Sequence, residues 1–379
     1  MGKWTRRSFI TAGVVAGGGL LIGVAIRPGN RSTELAKYLA RDGESFLHTW
    51  VKLDQNNIVT AIVPHSEMGQ GVGTALAQML AEELDADWSL VKYEEAPAVR
   101  EFANYPIIKG MFIGNTDVPD FVVPTIDGAL IRTAKALDLQ ITGGSSSIRM
   151  TGEFGMRVAG AAVKEMLRDA SATKWQVPVD EITTENSHLI HIKSGRQIPY
   201  SDVAQAVSNM VPPASPKLKS TGDFKIIGKS VARFDLPSKV DGTALFAIDV
   251  KLPDMLYATV QRAPSFTGRI DKITDTVSRS IKGIVDIVKL PSTTVSSALG
   301  SFSFADSVAV VADSFWTAKK GMDLLDVRWE STKHSQVSSN AIFNQFERDI
   351  DEALEREIDV SKGDTAGSLM DADIVIEAD

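Results

Sequence analysis

An α+β fold in two or three domains is what this sequence predicts, on three observations. A β-prone run, 58–63, empties through the glycine-rich segment 64–74 into an amphipathic helical run. A second glycine-rich loop, 141–147, leads towards another helix. The proline-rich break Val211-Pro212-Pro213-Ala214-Ser215-Pro216 then separates this half from one dominated by alternating, strand-like runs. The 379 residues are 44% hydrophobic and 23% charged, proportions of an ordinary globular chain with an ample core.

In chain order, Thr5-Arg6-Arg7-Ser8-Phe9-Ile10 followed by an apolar, glycine-rich stretch at 11–26 has the layout of a twin-arginine export signal. The expectation over residues 1–30 is export to the periplasm of an already folded protein, as a cofactor inserted beforehand would require. No small-x-small cleavage site stands out, so an uncleaved anchor in the inner membrane stays open, although the apolar stretch is short of the ~20 residues a spanning helix needs. A polar helix follows at 32–41. Runs 48–53 and 58–63 flank Asp54-Gln55-Asn56-Asn57 as a hairpin. The next helix covers about 75–84, with Leu76, Met79, Leu80 and Leu84 on one face. A strand at 91–95, an irregular stretch at 96–124, a helix at 126–137, the second glycine loop and a helix at 158–167 complete the first half. Beyond the break, strands are expected at 244–248, 256–260, 307–312 and 325–330, with a helix at 314–325. A polar helical connector, 340–356, leads to a last strand at Ile374-Val375-Ile376-Glu377. A chain ending on an uncovered edge strand reads as part of a longer protein.

Several chemistries are disfavoured. The formal charge of −8, with no Lys/Arg cluster, argues against a nucleic-acid surface. With no cysteine, the chain has no disulfide, thiolate-bound zinc, cysteine-ligated iron–sulfur cluster or c-type haem. Any electrons it handles must leave through another polypeptide. His188 and His191 lack the helical i, i+4 spacing of a metal pair, and His48 and His334 have no partner in sequence. No G-x-S-x-G elbow supports a hydrolase.

The two loops carry the remaining chemistry. Gly69, Gly71 and Gly73 let the backbone approach a ligand, Gln70 offers a planar amide, and a helix N-terminus follows. A phosphate or a polar heterocycle suits that arrangement; a plain structural turn is the alternative. Ser145, Ser146 and Ser147 beside Gly143 and Gly144 form a nest of donors suited to phosphate or carbonyl oxygens, or else a surface turn. His65 in the first loop suits a positioning hydrogen bond better than general-base chemistry. Glu67 and Glu153 are assigned no catalytic role.

The block 64–72, with Gly143-Gly144-Ser145-Ser146-Ser147 downstream, resembles the molybdopterin-binding segments of the xanthine dehydrogenase and aldehyde oxidase family. Together with the twin-arginine start it is similar to large subunits of the isoquinoline 1-oxidoreductase beta-subunit type. Residues 228–235, 239–244 and Asp249 resemble the opening of the family's a/b hammerhead domain, and 310–313 with 318–330 its closing strand-helix-strand. The resemblance implies a molybdopterin-binding α/β subdomain at 45–210, a linker at 211–221, the hammerhead domain at 222–332, and at 333–379 a connector and the start of a further molybdopterin-binding domain.

It also implies an activity: a molybdenum hydroxylase oxidising aldehydes or N-heterocyclic aromatics with water-derived oxygen. The cofactor would be molybdopterin cytosine dinucleotide, its molybdenum held through the pterin dithiolene and by no side chain of this chain. Gln70 and Gly71 would lie against the pterin, with Gly69, Gly73 and Thr74 shaping the loop. Gly143, Gly144, Ser145, Ser146 and Ser147 would hold its pyrophosphate or nucleotide end. Electrons would pass to a small 2Fe–2S subunit, with a c-type cytochrome as a candidate acceptor. The family's general-base glutamate and its molybdenum-proximal glycine segment have no counterpart up to Asp379; Gly152-Glu153-Phe154-Gly155 stands in the wrong place. The expectation is an N-terminal portion, inactive alone, its C-terminal half carried by a separate chain. The alternative is an exported, inactive binding or assembly protein that keeps the fold.

Overall fold

The computed structural model describes residues 32–142, 144–265, 267–297, 300–330, 337–353 and 362–376. The export signal expected at 1–30, together with Gly143, His334 and Glu377, lies outside them. The described residues mix helices and strands, as the α+β expectation requires, and divide into two compact units between Ala244 and Leu245. No described helix is long and apolar enough to cross a membrane.

In the first unit, α1 (Ser32–Leu39) precedes β1 (Glu44–His48), β2 (Val51–Asp54) and β3 (Val59–Val63). These strands run antiparallel, and β4 (Val91–Glu95) joins β3 in parallel, giving the order β1-β2-β3-β4. A parallel pair needs a crossover. Here it is α2 (Val72–Leu84), so the first glycine loop sits at the C-terminal end of β3, the edge where α/β sheets receive ligands. Leu76, Ala77, Leu80 and Leu84 of α2 are buried with Val59, Ala61, Ile62 and Val63 of β3 and with Ala159, Val163, Met166 and Leu167 of α5 (Val158–Trp175). Helices α2 and α5 cross backbone against backbone: a Cβ on Gly160 would come within 2.4 Å of the Leu80 carbonyl oxygen, so only glycine permits the crossing.

Several expectations are corrected. The irregular stretch 96–124 contains α3 (Tyr105–Phe112), whose Pro106 sits in the first turn, where proline is tolerated, and whose Ile107 and Ile108 are buried. Helix α4 spans Val123–Ala136. The second loop ends at Gly144; Ser145 and Ser146 are already helical, and Ser147–Arg157 is a π-helical stretch running straight into α5. The strands β5 (Ile182–Glu185), β6 (His188–His191) and β7 (Gln197–Pro199) form a small antiparallel sheet.

The second unit begins without the strand expected at 244–248; Ala247–Asp249 is a 3₁₀ turn. Strands β8 (Tyr257–Arg262), β10 (Ile284–Leu290) and β13 (Ser307–Ala312) form an antiparallel sheet in the order β10-β13-β8. Strand β9 (Ile270–Thr274) pairs with β14 (Asp326–Trp329), and β11 (Thr293–Ser297) with β12 (Gly300–Phe304). Helix α6 (Phe315–Asp323) starts at Ser314, whose hydroxyl accepts the Thr317 amide at 3.1 Å. Helix α7 spans Ser339–Ala353, and residues 374–376 form no strand.

Candidate functional site

The two glycine-rich loops, 76 residues apart in the chain at Ser66 and Thr142, meet at the end of β3: the Ser66 amide donates to Thr142 Oγ1 at 3.1 Å. Beneath them lies His65, 4% exposed. Its Nε2 is 2.8 Å from Thr151 Oγ1 and its Nδ1 3.4 Å from Ser147 Oγ. Ser147 and Thr151 stand four residues apart on the π-helical stretch, so one element grips both ring nitrogens. Asn104, fully buried, donates from Nδ2 to Thr151 Oγ1 at 2.9 Å. Burial among uncharged groups lowers the imidazole pKa to about 4, against a weaker opposing pull from a hydrogen bond with the Ile141 backbone. His65 is thus a neutral pin between the loops, the positioning role its place in the sequence suggests.

The first loop is organised by a side chain. Glu67 Oε1 accepts the Gly69 and Gly71 amides, both at 2.9 Å, and Oε2 the Gly73 amide at 3.2 Å. Gly69 (φ 98°) and Gly71 (φ 80°) occupy left-handed conformations that aim these amides at one carboxylate. Burial pushes the Glu67 pKa up, but the Gly71, Gly73 and Gly69 amides and the Arg233 charge outweigh it, and the net shift is downward. The amides offered to a phosphate on sequence grounds are therefore engaged internally. Gln70 is exposed and folds over its own loop: Nε2 donates to the Ser66 carbonyl at 2.9 Å and Oε1 accepts the Met68 amide at 2.5 Å. Gly73 lies under Tyr93, where a Cβ would come within 2.5 Å of the ring. Thr74 Oγ1 accepts the Phe234 amide at 3.1 Å.

Of the serines, Ser147 is buried against His65, while Ser145 is exposed and Ser146 half-buried. A Cβ on Gly69 or Gly144 would meet nothing within 4 Å. At Gly69 and Gly144 the two loops thus present open backbone. Glu67 and Glu153 form no carboxylate pair, since Glu153 Oε1 takes Arg157 Nη1 at 2.7 Å.

No family model matches the chain. Over 334 residues it is 26% identical to the beta subunit of isoquinoline 1-oxidoreductase from Brevundimonas diminuta, covering 79% of this chain and 37% of that protein. Over 336 residues it is 29% identical to the membrane-bound aldehyde dehydrogenase (pyrroloquinoline-quinone) of Gluconacetobacter polyoxogenes, covering 86% and 37%. Over 223 residues it is 26% identical to a nicotinate dehydrogenase subunit of Pseudomonas putida, covering 58% and 16%. These relatives support the resemblance of the chain to the xanthine dehydrogenase/aldehyde oxidase family of molybdenum enzymes. It spans 37% of the length of the first two of these relatives. A solved Cu,Mo-CO dehydrogenase matches 28% of the chain at a TM-score of 0.22 and 20% identity, a likeness too slight to bear on the fold.

The residues that shape the site are largely ones the sequence did not single out. Asn104 and Thr151 carry no local motif. Arg233 lies in the 228–235 segment, whose resemblance pointed to the hammerhead domain, yet it is part of the first unit: its Nη1 donates to the Gly69 carbonyl at 2.6 Å. Glu82 and Glu83, in the last turn of α2, are buried, at 1% and 0% exposure, and hold the segment after the proline break. Glu82 Oε2 accepts the Lys225, Ile226 and Ile227 amides, Lys219 Nζ donates to Glu82 Oε1 at 2.7 Å, and Glu83 pairs with Arg157. Their spacing gave no hint, because two adjacent glutamates at a helix end are ordinarily solvated.

Proposed function

We propose that this chain is the cofactor-binding portion of a molybdenum hydroxylase large subunit that oxidises aldehydes or N-heterocyclic aromatics. The convergence of the two glycine-rich loops at the C-terminal end of β3, pinned through His65 and Ser66, is the observation that carries the reading. A bound molybdopterin cytosine dinucleotide would supply a two-electron redox centre for inserting oxygen from water into a carbon centre. The chain's own part is to hold it. Gly69 and Gly71 give the pterin a surface free of side chains, and the Gln70 amide reaches it by exchanging its two intraloop hydrogen bonds. Gly144 with Ser145 and Ser146 receives the pyrophosphate or nucleotide end, alongside Gly143. Gly73, Thr74 and Ser147 set the loops' shape from below. We further read residues 222–332 as the hammerhead domain, electrons as leaving to a separate 2Fe–2S subunit, and the whole as periplasmic by the twin-arginine route.

Metal and pterin analysis tests this in the complex purified with its partner chains. Molybdenum and a cytosine dinucleotide are expected in stoichiometric amount; a folded complex without either overturns the reading in favour of an exported binding or assembly protein. Gln70→Ala in that complex is expected to lower cofactor content or turnover about tenfold, on the scale of losing a hydrogen-bonding group aimed at a bound ligand.

A further inference from the structure

Arg233 stands 166 residues from Glu67, yet its Nη2 lies 3.2 Å from Glu67 Oε1 while Nη1 takes the Gly69 carbonyl at 2.6 Å. Its other edge is held: Nε and Nη2 donate to Asp235 at 2.9 and 2.7 Å, and Lys239 pairs with the same carboxylate. The hydrogen bond and the opposed charge of Asp235 raise the guanidinium pKa. Next in sequence, Phe234 packs on the Trp88 and Tyr93 rings at centroid distances of 5.0 and 5.8 Å, and its amide is bonded to Thr74. The backbone around 233–235 is therefore fixed on both sides of the arginine. Glu67 meanwhile gathers three glycine amides, so one carboxylate receives four donors from two distant stretches of chain. Glycine-rich loops otherwise sample many backbone states, and three such amides would point to solvent.

We propose that Glu67 and Arg233 are a positioning pair, a latch that fixes the shape of the first glycine loop: Glu67 closes it from within, and Arg233 clasps both the carboxylate and the Gly69 carbonyl. The latch belongs to the loop itself, whatever ligand the loop takes, so its test needs none. Hydrogen–deuterium exchange of the full chain is the measurement. Glu67→Ala should accelerate exchange of residues 66–74 about tenfold or more and Arg233→Ala several-fold, with β3 and α5 unchanged. Arg233→Lys, which keeps the charge but not the fork, should recover part of the protection. In the double variant the rise should fall short of the product of the single effects, because the carboxylate contact is shared and only the Arg233 bond to the Gly69 carbonyl remains to be lost after Glu67→Ala. The proposal is overturned by loop exchange within about twofold of wild type in Arg233→Ala, by single effects that multiply in the double variant, or by an equal rise in β3 and α5, which would mean the pair merely supports the fold. Should Glu67→Ala not fold, Glu67→Gln and the two Arg233 variants decide by the same criteria.

Discussion

Residues 32–244 bury Trp50, Tyr200 and Phe102 together with charged Lys52, Glu82 and Glu83, whereas residues 245–376 bury little beyond Ile270, Val308, Val310, Ala312 and Leu325. The second unit leaves Leu245, Ile248, Phe302 and Trp316 more than half exposed. Among its described residues the one deeply placed carboxylate, Asp306, receives the Ile270 and Ser292 amides and so ties stretches 36 and 14 residues away. In the first unit, buried ions join parts of the chain more than a hundred residues apart, as Glu82 does with Lys219. The lesson concerns specificity. Apolar burial sets how much a unit resists unfolding, but a desolvated charge tolerates only the arrangement that supplies its partners. The first unit therefore defines its loops sharply, and the second has fewer groups that would penalise a local rearrangement.

The comparison breaks most readily at Glu83. Replacing it with Ala leaves Arg157, which is 9% exposed at the side chain, without its buried partner, and is expected to cost about 3–5 kcal/mol in a urea titration of the full chain. A loss under about 1 kcal/mol would show that the buried ions do not distinguish the first unit. The second probe is pH. His65 binds its proton less readily when folded (pKa about 4) than its ordinary 6.5, so the unfolded state holds more protons between those values. Its contribution is complete above about pH 6.5 and is lost as pH falls towards 4, at most about 3 kcal/mol in all. The groups facing the ring, Ser147, Thr151, Asn104 and the Ile141 backbone, do not titrate in this window. His65→Asn should flatten the fall in first-unit stability from pH 6.5 to 4.5, and an unchanged slope counts against the buried neutral pin. The smallest effect is expected in the second unit, where Ser314→Ala removes the cap of α6 at about 1 kcal/mol. Amide exchange should rise in β13 and α6 and stay unchanged in the first unit; a rise in both would mean the two units unfold together.

Much of the first unit was legible because short-range patterns wrote it. The β4 run at 91–95, the apolar face of α2 and the glycine loops need only neighbours along the chain. The failures have a common cause. Helix α3 was hidden inside a stretch rich in Gly, Pro and Asp, and Ser147 looked like a loop serine because a π-helical turn has no composition of its own. Strands β9 and β10 were missed since their residues alternate weakly and pair with partners further along the chain, β9 with β14 across more than fifty residues.

By itself, the sequence determined the elements that local periodicity and turn chemistry dictate: the strand-loop-helix order around Gly69, Gly71 and Gly73, a histidine suited to positioning, and the absence of any thiol. Only the tertiary structure decided which groups those loops meet. That Arg233 clasps the Glu67 carboxylate and the Gly69 carbonyl, that Ser147 turns inward to His65, and that Glu82 and Glu83 are buried all follow from desolvation and from contacts across tens to more than a hundred residues. A side chain's partners depend on what folding brings beside it, and no spacing along the chain encodes that distance.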